Sequence, residues 1–219
     1  MIVSDIPYSN IPVLHTASTI GEAIHLMQDH SLAHLPVISD ERLQGIAALQ
    51  SLRLQAAEDT LAGEQYNFIL SHVLGHHHIL TALKIASLHN LSVIPVMDES
   101  EKYLGSITYS SLLQALATYL DINKSGGVIV LEMTKHDYSF GELCRLVETN
   151  DAYITQLNSF IDAATGLLMV TVKMNKTEVS DIIATFQRYE YNVKYYFGEE
   201  NYENELKDNY ENLMAYLNV

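Results

Sequence analysis

The residues best suited to chemistry in this chain are its histidines. Residues 71 to 80 read SHVLGHHHIL, so His76, His77 and His78 stand together, with His72 close by. Imidazole is a metal ligand and an acid–base group near neutral pH. A compact metal centre needs ligands converging from separated positions, whereas neighbours in one short loop point apart. The three histidines are therefore the nearest candidates for a metal site, and the expectation is that they hold none. The single cysteine, Cys144, falls at an apolar position of a predicted helix and reads as a structural thiol. The sequence contains no CxxC pair, HExxH, GxxxxGK[ST] or GxSxG, so no catalytic centre is predicted.

Composition narrows the partners. The chain has 219 residues, 48% of them apolar and 18% charged, which is globular composition. A formal charge of −15 disfavours nucleic acid and anionic membrane as partners. Up to Ser125 there are 5 basic and 12 acidic residues, a balance of −7; beyond it 7 basic and 15 acidic give −8. Acidity does not separate the halves, but nine of the ten histidines precede Ser125, so the halves are distinct modules. No apolar run is long enough to span a membrane, the first residues lack an export pattern, and one cysteine cannot form an intramolecular disulfide. A cytoplasmic location is the expectation.

The elements that position these side chains come as a duplication. STIGEAIHLMQDHSLAHLPVIS, from Ser18, matches HHILTALKIASLHNLSVIPVMD, from His77, at an offset of 59 residues. Ile20 falls on Ile79, Ala23 on Ala82, His30 on His89 and Pro36 on Pro95; after one extra residue Gly45 falls on Gly105 and Leu52 on Leu112. Each copy predicts helix, strand, strand, helix. Thr19 and Glu22 form a capping box for the first helix. His78 takes the N-cap place in the second copy, where histidine is a poor substitute. Pro36 and Pro95 predict edge or strand-entry positions, because proline has no N–H for the ladder. The second helices are expected from Ser51 and from Ser110 or Ser111.

This pattern, helix, hxxLPV, turn, a glycine-led strand and a second helix, resembles the CBS domain, and its duplication resembles a Bateman module. The resemblance implies an α/β (α+β) fold, unit 1 over residues 1–62 and unit 2 over 63–124, paired around clefts that often take adenosine nucleotides or S-adenosylmethionine. Such modules are regulatory rather than catalytic and usually dimerise. The family pattern [S/T]-x-x-D, whose hydroxyl and ribose-bridging carboxylate hold the nucleotide, falls on Ala48 and Ser51 in the first copy and on Thr108 and Ser111 in the second. Both carboxylates are missing. His30 and His89 fall where some members carry a phosphate-contacting His or Arg; each also suits a helix C-terminus, where a cation complements the dipole.

From residue 126 to 197 the order strand, helix, strand, strand, helix, strand predicts a ferredoxin-like domain, with Ser139 and Thr177 as N-caps. It resembles an ACT domain, and the CBS pair followed by it is similar in architecture to acetoin-utilisation regulatory proteins. The ligand loop of that family, D-x-x-G-x-L, maps onto Asp137, with Gly141 one residue late. Residues 198–219 place Tyr202, Leu206, Tyr210, Leu213 and Leu217 at steps of three or four, an acidic amphipathic helical tail. The expectation is a homodimeric sensor with no required cofactor, an adenine-containing effector and a regulated protein partner. A ligand-less module acting through dimerisation and tail docking is the alternative.

Overall fold

The structure, a computed structural model, describes residues 1–62 and 68–198. The chain divides into two compact units, Met1–Asp121 and Ile122–Val219.

The first unit contains the duplication. Repeat 1 comprises β1 (Leu14–His15), α1 (Ile20–Asp29), β2 (His34–Ser39), β3 (Arg42–Ala48) and α2 (Leu49–Leu52). Repeat 2 comprises β4 (Val73–Leu74), α3 (Ile79–His89), β5 (Val93–Met97), β6 (Tyr103–Thr108) and α4 (Tyr109–Tyr119). Helix α1 starts where predicted: the Thr19 hydroxyl accepts from Glu22 N at 3.2 Å, and the Glu22 carboxylate accepts from Thr19 N at 2.9 Å. Ile20, Ala23 and Met27, on one helical face, are fully buried.

A two-residue strand opens each repeat, which the expected helix, strand, strand, helix order lacked. It lies parallel to the next strand, so the sheets run β1-β2-β3 and β4-β5-β6. Strands β2 and β5 are thus central, and the edge reading of Pro36 and Pro95 is corrected. The prolines are accommodated because β1 reaches only Val37 and Ile38, and β4 only Val96 and Met97. At Pro36 and Pro95 the sheet has a neighbour on one side alone, so the missing donor breaks no ladder there. The second helices begin at Leu49 and Tyr109, slightly earlier than expected.

The repeats exchange their leading segments. Ile79 N donates to Met1 O and Val3 N to His77 O, so residues 1–3 pair with the start of α3 in repeat 2. Reciprocally, Ile20 N donates to Asp59 O and Leu61 N to Ser18 O, so the inter-repeat segment pairs with the start of α1 in repeat 1. The exchange continues at β3 and β6: Ile46 and Ile69 trade backbone hydrogen bonds, and Ser9 N donates to Ser106 O. Burial follows it. Val3 and Ile6 join the core around Ile79, Ile94 and Ile107, whereas Leu61 and Phe68 join the core around Ile20, Met27 and Leu35. The hairpin tips also meet reciprocally, Lys102 with Glu41 at 3.0 Å and Arg42 with Glu101 at 4.0 Å.

The second unit comprises β7 (Val128–Met133), α5 (Phe140–Glu148), β8 (Ile154–Ile161), β9 (Leu168–Met174), α6 (Ser180–Arg188) and β10 (Asn192–Phe197). Its antiparallel sheet has the order β10-β7-β9-β8, the ferredoxin-like arrangement. Alternation decides which face is covered: Ile129, Leu131 and Met133 are buried, as are Val170, Val172 and Met174. Leu143, Leu146 and Val147 of α5 and Ile182 and Phe186 of α6 close that core. Ser139 caps α5, accepting from Glu142 N. Thr177 does not cap α6. The helix starts at Ser180 after Val179, whose side chain is buried in the core and whose carbonyl accepts from Ile183 N. Of the predicted tail over 198–219, all but Gly198 lies outside the described residues. Among those described, no helix is long and apolar enough to cross a membrane.

Candidate functional site

In repeat 2, strand β6 delivers Thr108 to the start of α4, where its hydroxyl accepts from Ser111 N at 3.1 Å as the N-cap. The Thr108 and Ser111 hydroxyls lie 2.9 Å apart, and Ser111 Oγ lies 3.2 Å from Ser9 Oγ. The crossing N-terminal segment therefore completes a chain of three hydroxyls that can donate or accept. Beside it, the fully buried Ser106 hydroxyl lies 2.8 Å from Tyr103 Oη, and burial pushes the Tyr103 phenol up from its ordinary value. Tyr8 covers Gly105, where a Cβ would stand 3.0 Å from the ring at φ +153°. Ser9, Ser106, Tyr103 and Tyr8 were not singled out from sequence. The one available signal was Gly105 recurring with Gly45.

Repeat 1 repeats this geometry without its chemistry. Phe68 covers Gly45, whose φ is +147° and whose added Cβ would lie 2.5 Å from Phe68 Cβ. Ala48 precedes α2 without a side-chain cap, and that helix lasts four residues. Ser51 is exposed. His30 forms the C-cap of α1, whereas His89 is the last residue of α3, followed by Asn90 in the left-handed region at φ 55°. Both histidines are exposed, and among the described residues neither ring has a hydrogen-bond partner. A cavity of about 300 Å³ beside the end of α3 is lined by Ala86, Ser87, Asn90, Leu91, Ser92 and Tyr109. Between the repeats, His34 Nδ1 accepts from Ser92 N at 3.2 Å, and burial lowers the His34 pKa.

The three adjacent histidines have separate local roles. His76 Nδ1 lies 3.8 Å from the Glu99 carboxylate. His77 Nδ1 accepts from Leu74 N at 3.2 Å. His78 is the N-cap of α3: its Nδ1 accepts from Leu80 N at 3.3 Å, and its ring packs edge-on against Tyr119 at 5.3 Å. An imidazole nitrogen thus takes the accepting role that the Thr19 hydroxyl has in the first repeat. Among the described residues, no three His, Cys, Asp or Glu side chains are grouped to hold a metal ion.

In the second unit, Asp137 lies in the loop before α5 and accepts from the Thr134 hydroxyl at 2.6 Å. It lines a cavity of about 660 Å³ together with Glu132, Ser139, Glu142, Tyr189 and Tyr191. Gly141 is not in that lining, and a Cβ there would meet nothing within 4 Å. Tyr191 Oη donates to Glu142 at 3.1 Å; burial, then this bond and the Glu142 charge, push the phenol up to about 12. Cys144 is half-buried on α5, and burial followed by the Glu148 charge raises its thiol pKa, which disfavours the nucleophilic thiolate.

The CBS domain model matches residues 3–55 and 72–118. Homoserine O-acetyltransferases of Methanocorpusculum labreanum and Methanosarcina acetivorans are 30% identical over 115 residues and 26% identical over 121, covering 51% and 54% of this chain. The chain spans only 23% and 22% of their lengths. A crystal structure of a CBS domain pair/ACT domain protein from Thermotoga maritima is similar with a TM-score of 0.51 at 20% identity, covering 55% of this chain and 99% of that one. This likeness is one of fold. With the CBS model matched twice, residues 3–118 hold a tandem pair of CBS domains, followed in sequence by a unit with the ferredoxin-like fold.

Proposed function

We propose that this protein is a homodimeric sensor whose CBS pair binds an adenine-containing effector, an adenine nucleotide or S-adenosylmethionine, and passes occupancy to the ACT-like domain and a regulated partner. The observation that carries the reading is the hydroxyl array of Thr108, Ser111 and Ser9, at the position where the resembled family holds the ribose. Hydroxyls can exchange hydrogen bonds with a ribose diol, but they lack the double acceptance of a carboxylate, so binding is weaker than with an aspartate. Ala48 and Ser51 supply no comparable array, which supports repeat 2 rather than repeat 1 as the effector's seat in this reading. The relation to much longer acetyltransferases fits a regulatory module shared by different proteins. A cytoplasmic location belongs to the same reading.

Calorimetric titration of the full chain with AMP, ADP, ATP and S-adenosylmethionine tests it. One of the four binds, and Thr108→Ala weakens that binding; silence from all of them overturns the adenine reading. A second reading, a ligand-less interaction module working through dimerisation and tail docking, is favoured by the same hydroxyls satisfying one another. Deleting residues 199–219 without changing the oligomer or its cellular partners would count against it.

A further inference from the structure

Among the described residues, every sheet edge but one is managed. Strands β1 and β4 are two residues long, β3 is met by Ile69 through its paired hydrogen bonds with Ile46, and β6 is met by Ser9, whose N–H donates to Ser106 O. In the second unit β10 carries Lys194 and a bulge between Val193 and Tyr195. Short length, cover, charge and bulges are the devices that keep an edge from pairing with another chain. Strand β8, at the other edge of β10-β7-β9-β8, lacks them along most of its length. Its eight residues, ITQLNSFI, make it the longest strand described, with no charge and no proline. Its one register shift, between Ile154 and Gln156, leaves Gln156–Ile161 regular. Phe160 and Ile161 are 54% and 48% exposed, and among the described residues no backbone hydrogen bond reaches the outer side of the strand.

The occupant that fits this edge is the same strand of a second copy. Two chains of formal charge −15 repel one another, so they meet most readily where neither presents a carboxylate, and β8 presents none. Its pattern also matches itself. Opposed residues in a sheet share a face. Leu157, Ser159 and Ile161 stand opposite Val172, Val170 and Leu168 on the helix-covered face, whereas Asn158 and Phe160 stand opposite Thr171 and Met169 on the other. An antiparallel self-pairing that matches faces must therefore set one residue opposite its own copy. With Ser159 in that place, Leu157 meets Ile161 twice, apolar to apolar on the covered face, and Asn158 meets Phe160 on the other. We propose that β8 pairs antiparallel with β8 of a second copy across a two-fold axis at Ser159, joining two four-stranded sheets into one of eight strands. This inference rests on the homodimer of the proposed function, to which it gives a contact, and involves no residue of the effector site.

Disulfide cross-linking of the full chain in a Cys144→Ser background, with sedimentation of the reduced proteins, tests it. Directly opposed residues have Cα atoms about 4.5–5.5 Å apart, within disulfide reach, whereas diagonal neighbours at about 7–8 Å are beyond it. Ser159→Cys is expected to run as a covalent dimer after mild oxidation, while Asn158→Cys and Thr155→Cys remain single chains. A dimer by sedimentation that cross-links at none of the three positions overturns the pairing and leaves the homodimer in place. A monomer overturns both, and cross-linking at Asn158 instead overturns the register. Amide exchange keeps the test valid if a cysteine variant fails to fold. Exchange over Leu157–Ile161 is expected to rise several-fold from the unaltered chain to Ser159→Lys, which sets two cations opposite each other; equal exchange in the two proteins overturns the pairing.

Discussion

The two CBS repeats share strands, exchanged segments and a covered glycine, yet they invert one another's helix caps. Repeat 1 opens with a capping box at Thr19 and leaves Ala48 bare before a four-residue helix. Repeat 2 opens with His78 and places Thr108 before a helix of eleven residues. Duplication fixed the frame, in which apolar residues at helical and strand spacing must reach one core. The polar residue at each helix start was free to diverge, and that is where the two repeats now differ in chemistry. The difference teaches that pseudo-symmetry of fold here does not extend to symmetry of site.

The sharpest break of this comparison is at the paired glycines. Gly45→Ala forces a Cβ to 2.5 Å from Phe68 at φ +147°, against 3.0 Å from the softer face of Tyr8 at Gly105. Gly45→Ala is expected to cost about 3 kcal/mol or more, combining backbone strain and overpacking, and Gly105→Ala less. Urea midpoints of the two variants check the order, and equal losses would show that the repeats cover their glycines equivalently. Next, Ser111→Asp adds the carboxylate that the second repeat lacks. Affinity for AMP is expected to rise about tenfold by calorimetry, a gain of about 1.4 kcal/mol, while Ser51→Asp has little effect.

Swapping caps comes third: Thr108→Ala is expected to lose about 1 kcal/mol, and Ala48→Thr to gain somewhat less, read from thermal unfolding. The fourth test concerns the seam between the repeats. His34 has a pKa lowered by burial from 6.5, so the folded state takes up a proton less readily than the unfolded one. Its contribution is present above about pH 6.5 and is lost as pH falls below that value toward the lowered pKa. Stability measured from pH 7.5 to 5 should drop less in His34→Gln than in the parent; identical slopes would remove His34 from the seam. The smallest effect is at the hairpin tips. Arg42→Ala and Lys102→Ala remove exposed ion pairs and should each change stability by less than about 0.5 kcal/mol.

Much of this was legible in the sequence because it follows from periodicity. Ile20, Ala23 and Met27, or Ile129, Leu131 and Met133, declare their elements by spacing, and the duplication at residues 18 and 77 declares the pair. Strands of two residues, such as Leu14–His15, leave no period to read. The edge assignment of Pro36 failed for that reason, since its neighbour strand is nearly invisible. Thr177 looked like a cap because local residue type suited one, but burial of Val179 set the start of α6. At the candidate site, Thr108 and Ser111 came from the resembled family's [S/T]-x-x-D pattern laid on the second copy. Ser9 was not, because its meeting with Ser111 depends on a crossing between segments 102 residues apart. His78 was placed at the cap correctly; what spacing could not show was its ring nitrogen accepting from Leu80 N.

The exchange of leading segments also decides what can exist as a folding unit. Residues 1–3 pair with the start of the second repeat, and Ile69 pairs with Ile46 of the first, so a cut after residue 62 takes backbone partners from each half. The pair is therefore expected to unfold as one cooperative unit, with the start of each repeat tied to the other by backbone hydrogen bonds.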